Sequence, residues 1–441
     1  MRMCDADNVT ASVRRDGTSK NGPENKWDVF PALSASADLV DALDMTGPNQ
    51  LKLRVGYGIT GSLPNENYGY LQLFGNGPSA PFGGSFVSTI QPNTNPNPLL
   101  RFEKKGEFNA GLDFAFMDYK LTGTLDFYTR TTRDLLFNAN VASPPFLFPT
   151  VPANLNNVDL VNTGVELSLG YQFGGGSKFS YEPRLIFSTF STQLQDNGET
   201  ADFPFGDGGA LTIESSSPGA PVQNDDPITR VVIGENFGDI YARQLDLAAS
   251  QAAGEYVFIN QNGDMNDDGT PIINEDDKVI VGNALPDFSL SLANTFRFGK
   301  VDASFFIRGV FGHDLANTPN DFLGQLGGAA NRPIDNVILG DGFLDDIVSA
   351  QKFSDFFVED ASFVSLDNAQ IGYTLDLGKN TGFKNVRFYV AAQNLFVITG
   401  YSGVDPSVRW TDPSSALVAG IDRRDTYFRT RTFTTGISVG F

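Results

Sequence analysis

The fold class this sequence predicts is all-β: a transmembrane antiparallel up-and-down β-barrel, of which about 12–14 strands are present, with long extracellular loops. Three observations carry that expectation. The chain closes on a two-faced strand, its composition favours strands and turns over helices, and its long and short connections alternate along the chain.

The closing segment, Arg431–Phe441, reads RTFTTGISVGF. Successive side chains of an extended strand point to opposite faces. Phe433, Thr435, Ile437, Val439 and Phe441 therefore share one side, and Thr432, Thr434, Gly436, Ser438 and Gly440 the other. Chain ends usually fray in water unless something ties them down. A barrel strand with lipid outside and a wet lumen inside requires this alternation, so Phe433, Ile437, Val439 and Phe441 are read as a membrane-insertion signal.

Phe occurs 38 times and Gly 46 times, against 5 Met, in 441 residues, a bias toward strands and turns. No uninterrupted apolar run reaches the roughly eighteen residues of a membrane helix, whereas a barrel strand needs only about ten of alternating pattern. The formal net charge of −21 argues against nucleic acid as a partner, because phosphate backbones demand basic surface. The lone Cys4 forms no internal disulfide, and the lone His313 leaves no two-histidine metal motif. With no phosphate-cradling glycine loop or nucleophile elbow either, the chain is not expected to be an enzyme. The start MRMCDADNVTAS lacks the apolar core of an export signal, so Met1 is expected not to be the natural start.

Strands are expected at Asn8 to Arg15, Val29 to Leu39 and Leu51 to Gly61; in the third, Leu51, Leu53, Val55, Tyr57 and Ile59 alternate with Lys52, Arg54, Gly56 and Gly58. Asn65 to Leu100 reads as a long loop rich in Pro, Gly and Asn. Glu107 to Phe116 and Tyr119 to Arg130 form a hairpin around Met117 and Asp118. In Asn138 to Leu160, Pro144, Pro145, Pro149 and Pro152 are expected to exclude regular pairing. Val161 to Phe173 returns through Gly174 to Ser177 into Phe179 to Thr192. After the longest excursion, Phe288 to Phe298 and Val301 to Phe311 turn at Gly299 and Lys300. Phe363 to Leu375, Val386 to Thr399 and Arg429 to Phe441 complete the set. Counted back from Phe441, long and short links alternate back to Asn65. Outer-membrane meanders do this, with short periplasmic turns and long extracellular loops; a Greek-key sandwich has no reason to.

Residues 193–287 read as a large acidic extracellular loop region. From Asp196 through Asp287 they hold 18 Asp and Glu against Arg230, Arg243 and Lys278. Within them, NGDMNDDGTPIINEDDKV (Asn262–Val279) places Asp264, Asn266 and Asp268 at positions one, three and five of a calcium loop, with Gly269 at six for the turn. Glu275 stands at position twelve by count, and Asp277 becomes the last ligand if two residues are inserted. Oxygen ligands at this density favour Ca2+ over zinc or iron. A polar turn held by Asx hydrogen bonds is the competing reading. Loop aromatics such as Tyr68, Tyr70, Phe74, Phe82, Phe86 and Trp410 suit stacking on a sugar ring or packing of the loops on one another. Arg54, Asp126, Glu166, Arg297 and Arg308 read as the wall of a wet lumen.

Nine stretches add a resemblance: ASVRRDGTSK (Ala11–Lys20), LKLRVGYGITG (Leu51–Gly61), RFEKKGEFNAGLDF (Arg101–Phe114), NTGVELSL (Asn162–Leu169), GDMNDDG (Gly263–Gly269), VGNALPDF (Val281–Phe288), VEDASFVSL (Val358–Leu366), QNLF (Gln393–Phe396) and YSGVDPS (Tyr401–Ser407). In this order they resemble the C-terminal barrel portion of the SusC/RagA-type TonB-dependent outer-membrane transporters. The resemblance implies a plugged barrel of about twenty-two strands, driven through TonB, with a SusD-like surface lipoprotein over its mouth and an oligosaccharide or peptide as cargo. Residues 1–441 are then expected to be the C-terminal part of the barrel, with the plug and N-terminal strands elsewhere. Ser365 and Asp367 depart from the basic residues this family often carries there. A passive porin or structural outer-membrane barrel, and a secreted carbohydrate-binding β-protein, are the competing classes.

Overall fold

A computed structural model describes residues 8–65, 67–176, 178–199, 212–216, 226–323, 352–377, 383–408, 419–423 and 426–440. In chain order the strands are β1 (Asn8–Gly17), β2 (Trp27–Asp38), β3 (Gln50–Ser62), β4 (Phe74–Phe82), β5 (Ser85–Pro92), β6 (Glu103–Phe116), β7 (Leu121–Arg133), β8 (Leu135–Asn140), β9 (Thr150–Leu155), β10 (Val158–Tyr171), β11 (Phe173–Gly176) and β12 (Phe179–Asp196). They continue with β13 (Thr212–Ser216), β14 (Thr229–Val232), β15 (Asp239–Ala242), β16 (Val279–Asn283), β17 (Phe288–Phe298), β18 (Val301–Phe311), β19 (Asp314–Asn317), β20 (Val358–Asp360), β21 (Phe363–Asp376), β22 (Asn385–Thr399), β23 (Ile421–Asp422) and β24 (Thr432–Gly440).

One antiparallel sheet runs β1-β2-β3-β6-β7-β10-β12-β17-β18-β21-β22-β24, with the short β11 paired to β12. Neighbours in the sheet follow one another in the chain, apart from strands that belong to the links. The sheet is a partial barrel, open between β1 and β24. Links 117–120, 172–178, 299–300 and 377–384 are short and lie at one rim; links 63–102, 134–157, 197–287, 312–362 and 400–431 are long and lie at the other.

Register carries each strand's apolar row onto the next strand. Val386, Phe388 and Ala392 of β22 face Val439, Ile437 and Phe433 of β24, and Leu375, Tyr373 and Ile371 of β21 face Val386, Phe388 and Val390. The other face pairs Arg387 with Ser438 and Tyr389 with Gly436. Phe433 and Ile437 are 68% and 65% exposed, so the row is open rather than sealed in a two-layer core. Val439 continues it, and Phe441 lies outside the described residues.

Aromatic rings edge this apolar face at both rims. Near the short links, Phe173, Tyr181 and Phe296 stack in sequence at 5.6 and 4.3 Å, and Phe305 continues the row toward mid-strand at 5.9 Å. Near the long links, Phe288 stands 6.1 Å from Phe187 and 5.0 Å from Phe311. At about 3.4 Å per residue and a tilt of about 40°, β17 from Phe288 to Phe298 spans ~26 Å, close to the ~25 Å apolar band of an outer-membrane barrel. Asn294 lies within this face, buried, and its Oδ1 accepts a hydrogen bond from the Tyr181 hydroxyl at 2.9 Å.

Two expectations are corrected. The Pro-rich stretch does pair: β8 and β9 form a hairpin in which Asn138 faces Pro152. A two-stranded ribbon tolerates a proline whose missing N–H points away from its partner. The loop expected over Asn65 to Leu100 contains the β4-β5 hairpin, hidden because Gly and Pro dilute the alternation of β4.

Several glycines of the polar face lie beneath a ring from the facing strand. A Cβ on Gly436 would run into the Tyr389 ring, and one on Gly164 into Tyr128. Gly436→Ala is therefore expected to destabilise the sheet by about 1–3 kcal/mol. Tyr389→Ala in the same chain should recover most of that loss in a thermal melt of detergent-folded protein; additive losses would show that ring and glycine do not meet.

Candidate functional site

Two surfaces carry the chemistry: the polar face of the sheet and the folded body built from the long links. On the polar face, period two brings arginines and carboxylates together. Glu166 and Asp126 stand directly opposite each other, a like-charge pair that destabilises a sheet unless neutralised. Arg54 supplies cation to Asp126 at 3.0 Å and to Asp113 at 2.8 and 2.9 Å. Arg130 reaches Glu107 at 2.6 Å and Arg387 reaches Asp302 at 2.9 Å. Asp367 sits at a bulge between the pairs Leu366–Phe396 and Asn368–Gln393. There it accepts from Arg308 at 2.7 Å and from the Ser365 hydroxyl at 2.6 Å, with Arg429 at 3.6 Å. Of the two positions that depart from the basic pattern, Asp367 is thus served by Arg308 of β18 and Arg429 of link 400–431, and Ser365 by its hydrogen bond to Asp367. A groove of about 450 Å³ on this face is lined by Thr10, Ser12, Ser34, Glu107, Asn109 and Arg130 among others.

The long links pack like a soluble protein. Ile228, Tyr256 and Phe258 from link 197–287, Phe353 and Phe357 from link 312–362, and Ile421 from link 400–431 share one buried cluster. β19 pairs with β20 and, in parallel, with β23, tying the second and third of these links together. His313 Nε2 lies 3.0 Å from the Pro406 carbonyl, and the Tyr401 hydroxyl donates to Asp422 at 2.8 Å. Burial raises the Asp422 carboxyl above its usual range against the pull of the Thr426 and Tyr401 hydroxyls, and burial beside Asp422 pushes the Tyr401 phenol up as well.

The residues expected to form a calcium loop are distributed over two environments. Asp264, Asn266 and Asp268 lie on an exposed turn, where Gly269 has φ +81° and the Asn266 N–H donates to the Thr270 carbonyl at 2.8 Å. Asp268 accepts from the Thr270 N–H at 3.0 Å and from its hydroxyl at 2.6 Å; the hydroxyl above all lowers the Asp268 pKa. Glu275 is instead surrounded by cation: Arg243 at 2.6 Å, Lys278 at 2.7 Å and Arg230 at 2.8 Å. Asp226 pairs with Arg243 and Lys278 as well. Sequence reasoning missed this cluster, although its signal was present: the three cations of an 18-carboxylate stretch converge on one glutamate. Asp277 is buried and accepts from the N–H groups of Gln261 (2.8 Å), Asn262 (3.2 Å) and Asn274 (2.8 Å). The five side chains therefore do not form one oxygen cage, and among the described residues no group of three or more His, Cys, Asp or Glu is gathered to hold a metal.

Burial opposes the Asp277 charge, but those N–H donors outweigh it and hold the carboxyl below its ordinary value of 3.8. A depressed folded-state pKa contributes stability that is fully present above the unfolded value and lost as pH falls through the folded one. Amide protection of Gln261, Asn262 and Asn274, measured by hydrogen exchange, should accordingly hold at neutral pH and fall below about pH 4. In Asp277→Ala it should be low at every pH; protection that ignores both pH and substitution would contradict this role.

Comparison with known proteins places this geometry. The profile of the TonB dependent receptor-like β-barrel family matches residues 5–395. The TonB-dependent receptor SusC of Bacteroides thetaiotaomicron is 28% identical over 98% of this chain and 42% of its own length. The TonB-dependent receptor P3 of Formosa agariphila is 28% identical over 98% of this chain and 44% of its own length. The RagAB peptide transporter superposes with a TM-score of 0.79 at 20% identity, over 99% of this chain and 46% of that one. The chain thus spans less than half the length of these relatives. Matched along most of its length, with the sheet order and two-faced rows of a membrane meander, the chain belongs to the TonB-dependent receptor β-barrel family of outer-membrane proteins.

Proposed function

We propose that this chain is the C-terminal part, residues 1–441, of the barrel of an energised outer-membrane importer. It takes up oligosaccharides or peptides with TonB and a SusD-like surface lipoprotein. The observation that carries the reading is a polar wall lined by arginine–carboxylate pairs, beneath a rim whose long links fold into one body. Paired charges keep the wall hydrated without fixing a large potential of one sign, which suits polar cargo. The apolar face meets outer-membrane lipid, the long links and the acidic region 193–287 lie outside the cell, and the short links face the periplasm. In the native organism, deleting the gene should abolish growth on the cognate oligosaccharide or peptide, and restoring it should recover growth. A protonophore should stop uptake within minutes. Uptake that continues with the inner membrane de-energised would identify a passive porin instead.

For calcium we propose a narrower site than the full loop: the turn side chains of Asp264, Asn266 and Asp268. All three are exposed, and neither aspartate joins a salt bridge among the described residues. Glu275 and Asp277 remain in their cation and N–H surroundings. Calorimetric titration of the detergent-folded chain with Ca2+ should give a binding heat that Asp264→Ala with Asp268→Ala removes. Absence of heat in the wild type discards the site.

A further inference from the structure

The short links 117–120, 172–178, 299–300 and 377–384 all end alike. The residue immediately before the outgoing strand is a lysine each time: Lys120 before β7, Lys178 before β12, Lys300 before β18 and Lys384 before β22. In a chain of net charge −21, these links hold five lysines and a single carboxylate, Asp118. Link 39–49, next along the rim, carries Asp41 and Asp44 and no cation, so the basic stretch begins at β7. Backbone bonds fix each lysine against a neighbouring strand or turn. The Lys120 carbonyl accepts from the Gln172 N–H at 2.8 Å, the Lys178 carbonyl from that of Gly299 at 2.9 Å and the Lys300 carbonyl from that of Thr374 at 2.8 Å, while the Lys384 N–H donates to the Gly440 carbonyl at 2.8 Å. Two strand spacings, about 10 Å, separate successive lysines along the rim. All four are exposed. Lys300 lies 3.7 Å from Asp376, itself exposed, and the other three make no ion pair among the described residues.

We infer that this row of lysines binds the phosphate headgroups of acidic phospholipid at the short-link rim; the inference rests on the placement of the apolar face in lipid given above. The row continues a surface that meets lipid. Leu121, Phe179 and Val301, which directly follow Lys120, Lys178 and Lys300, pair into the apolar rows, and Val386 of the same rows lies two residues after Lys384. At ~3.4 Å per residue, each lysine backbone stands within about 7 Å of the last lipid-facing side chain. That is headgroup depth, and a flexible four-carbon stem carries the ammonium along it. Phe179, Phe298 and Tyr373 stand exposed beside the row, as rings do where a chain leaves hydrocarbon. A phosphate whose charge is not cancelled by an amine of its own headgroup gains most from a fixed cation, which favours acidic over zwitterionic lipid. The opposite rim has the opposite charge, with 18 carboxylates from Asp196 through Asp287, and repels the same headgroups.

The test uses the full-length receptor in phosphatidylcholine vesicles that contain spin-labelled phosphatidylglycerol or spin-labelled phosphatidylcholine. Electron spin resonance separates lipid held at the protein from free lipid. In the wild type the held fraction should be about two-fold or more larger for phosphatidylglycerol, and salt at about 1 M should erase most of that preference. Lys120→Gln, Lys178→Gln, Lys300→Gln and Lys384→Gln together should bring the two labels level. The same four positions changed to arginine should keep the preference, and both variants should show an unchanged heat-modifiable barrel. Equal retention of the two labels by the wild type overturns the proposal, as does a preference that survives in the glutamine variant or vanishes in the arginine one. Sedimentation with peptidoglycan sacculi that the glutamine variant loses, without any lipid preference, assigns the row to the cell wall and overturns it too. If neither label is held at all, the lipid-facing reading fails first and takes the proposal with it.

Discussion

Hydrocarbon offers no hydrogen bonds, so every backbone N–H and C=O that crosses it must be paired within the protein. The continuous ladder from β1 to β24 meets that demand for every strand between its two open edges, and the rest of the structure follows from it. Lateral pairing fixes the register, and the register carries an apolar row such as Leu375, Val386 and Val439 from strand to strand. Aromatic rings then collect where the row meets each rim, as amphipathic side chains do at a membrane interface. Asn294, a polar residue in that face, is tolerated because Tyr181 satisfies its oxygen.

The polar face obeys a different rule. Water reaches it, so charge is admitted, but carboxylates placed opposite one another require a cation between them. Glu166 stands opposite Asp126, and Arg54 supplies that cation while also holding Asp113; Arg308 and Arg429 serve Asp367 at its bulge. Glycine has a complementary use here: the side chain missing at Gly436 leaves room for the Tyr389 ring of the facing strand. Cross-strand contacts, rather than a central core, thus hold the wall.

Beyond the long-link rim the physics returns to that of a soluble protein. Ile228, Phe353 and Ile421 are nearly inaccessible and come from three different links, so burial of apolar surface joins segments that are remote in sequence. The acidic stretch survives this packing because its few cations are concentrated on Glu275 and Asp226, and its buried Asp277 is solvated by backbone N–H groups. A buried carboxylate held in this way is structural in origin, even where its spacing resembles that of a metal ligand.

Much of the wall was legible beforehand. The hairpin of β17 and β18 lies where the alternation and the Gly299–Lys300 turn put it, and the last strand presents Phe433, Ile437 and Val439 as one row. The ribbon at 74–92 and the hairpin containing Pro152 escaped, because Gly and Pro are locally ambiguous and only pairing resolves them. The partners of Glu275 escaped for a deeper reason: Arg230 lies 45 residues away, and a spacing rule sees only neighbours. By itself the sequence determined the two-faced strands and the alternation of their links, since side-chain period and turn length are local properties of a chain. Only the tertiary structure decided which links share a core and which carboxylates have cations, because those contacts join residues whose separation in sequence carries no information about their distance in space.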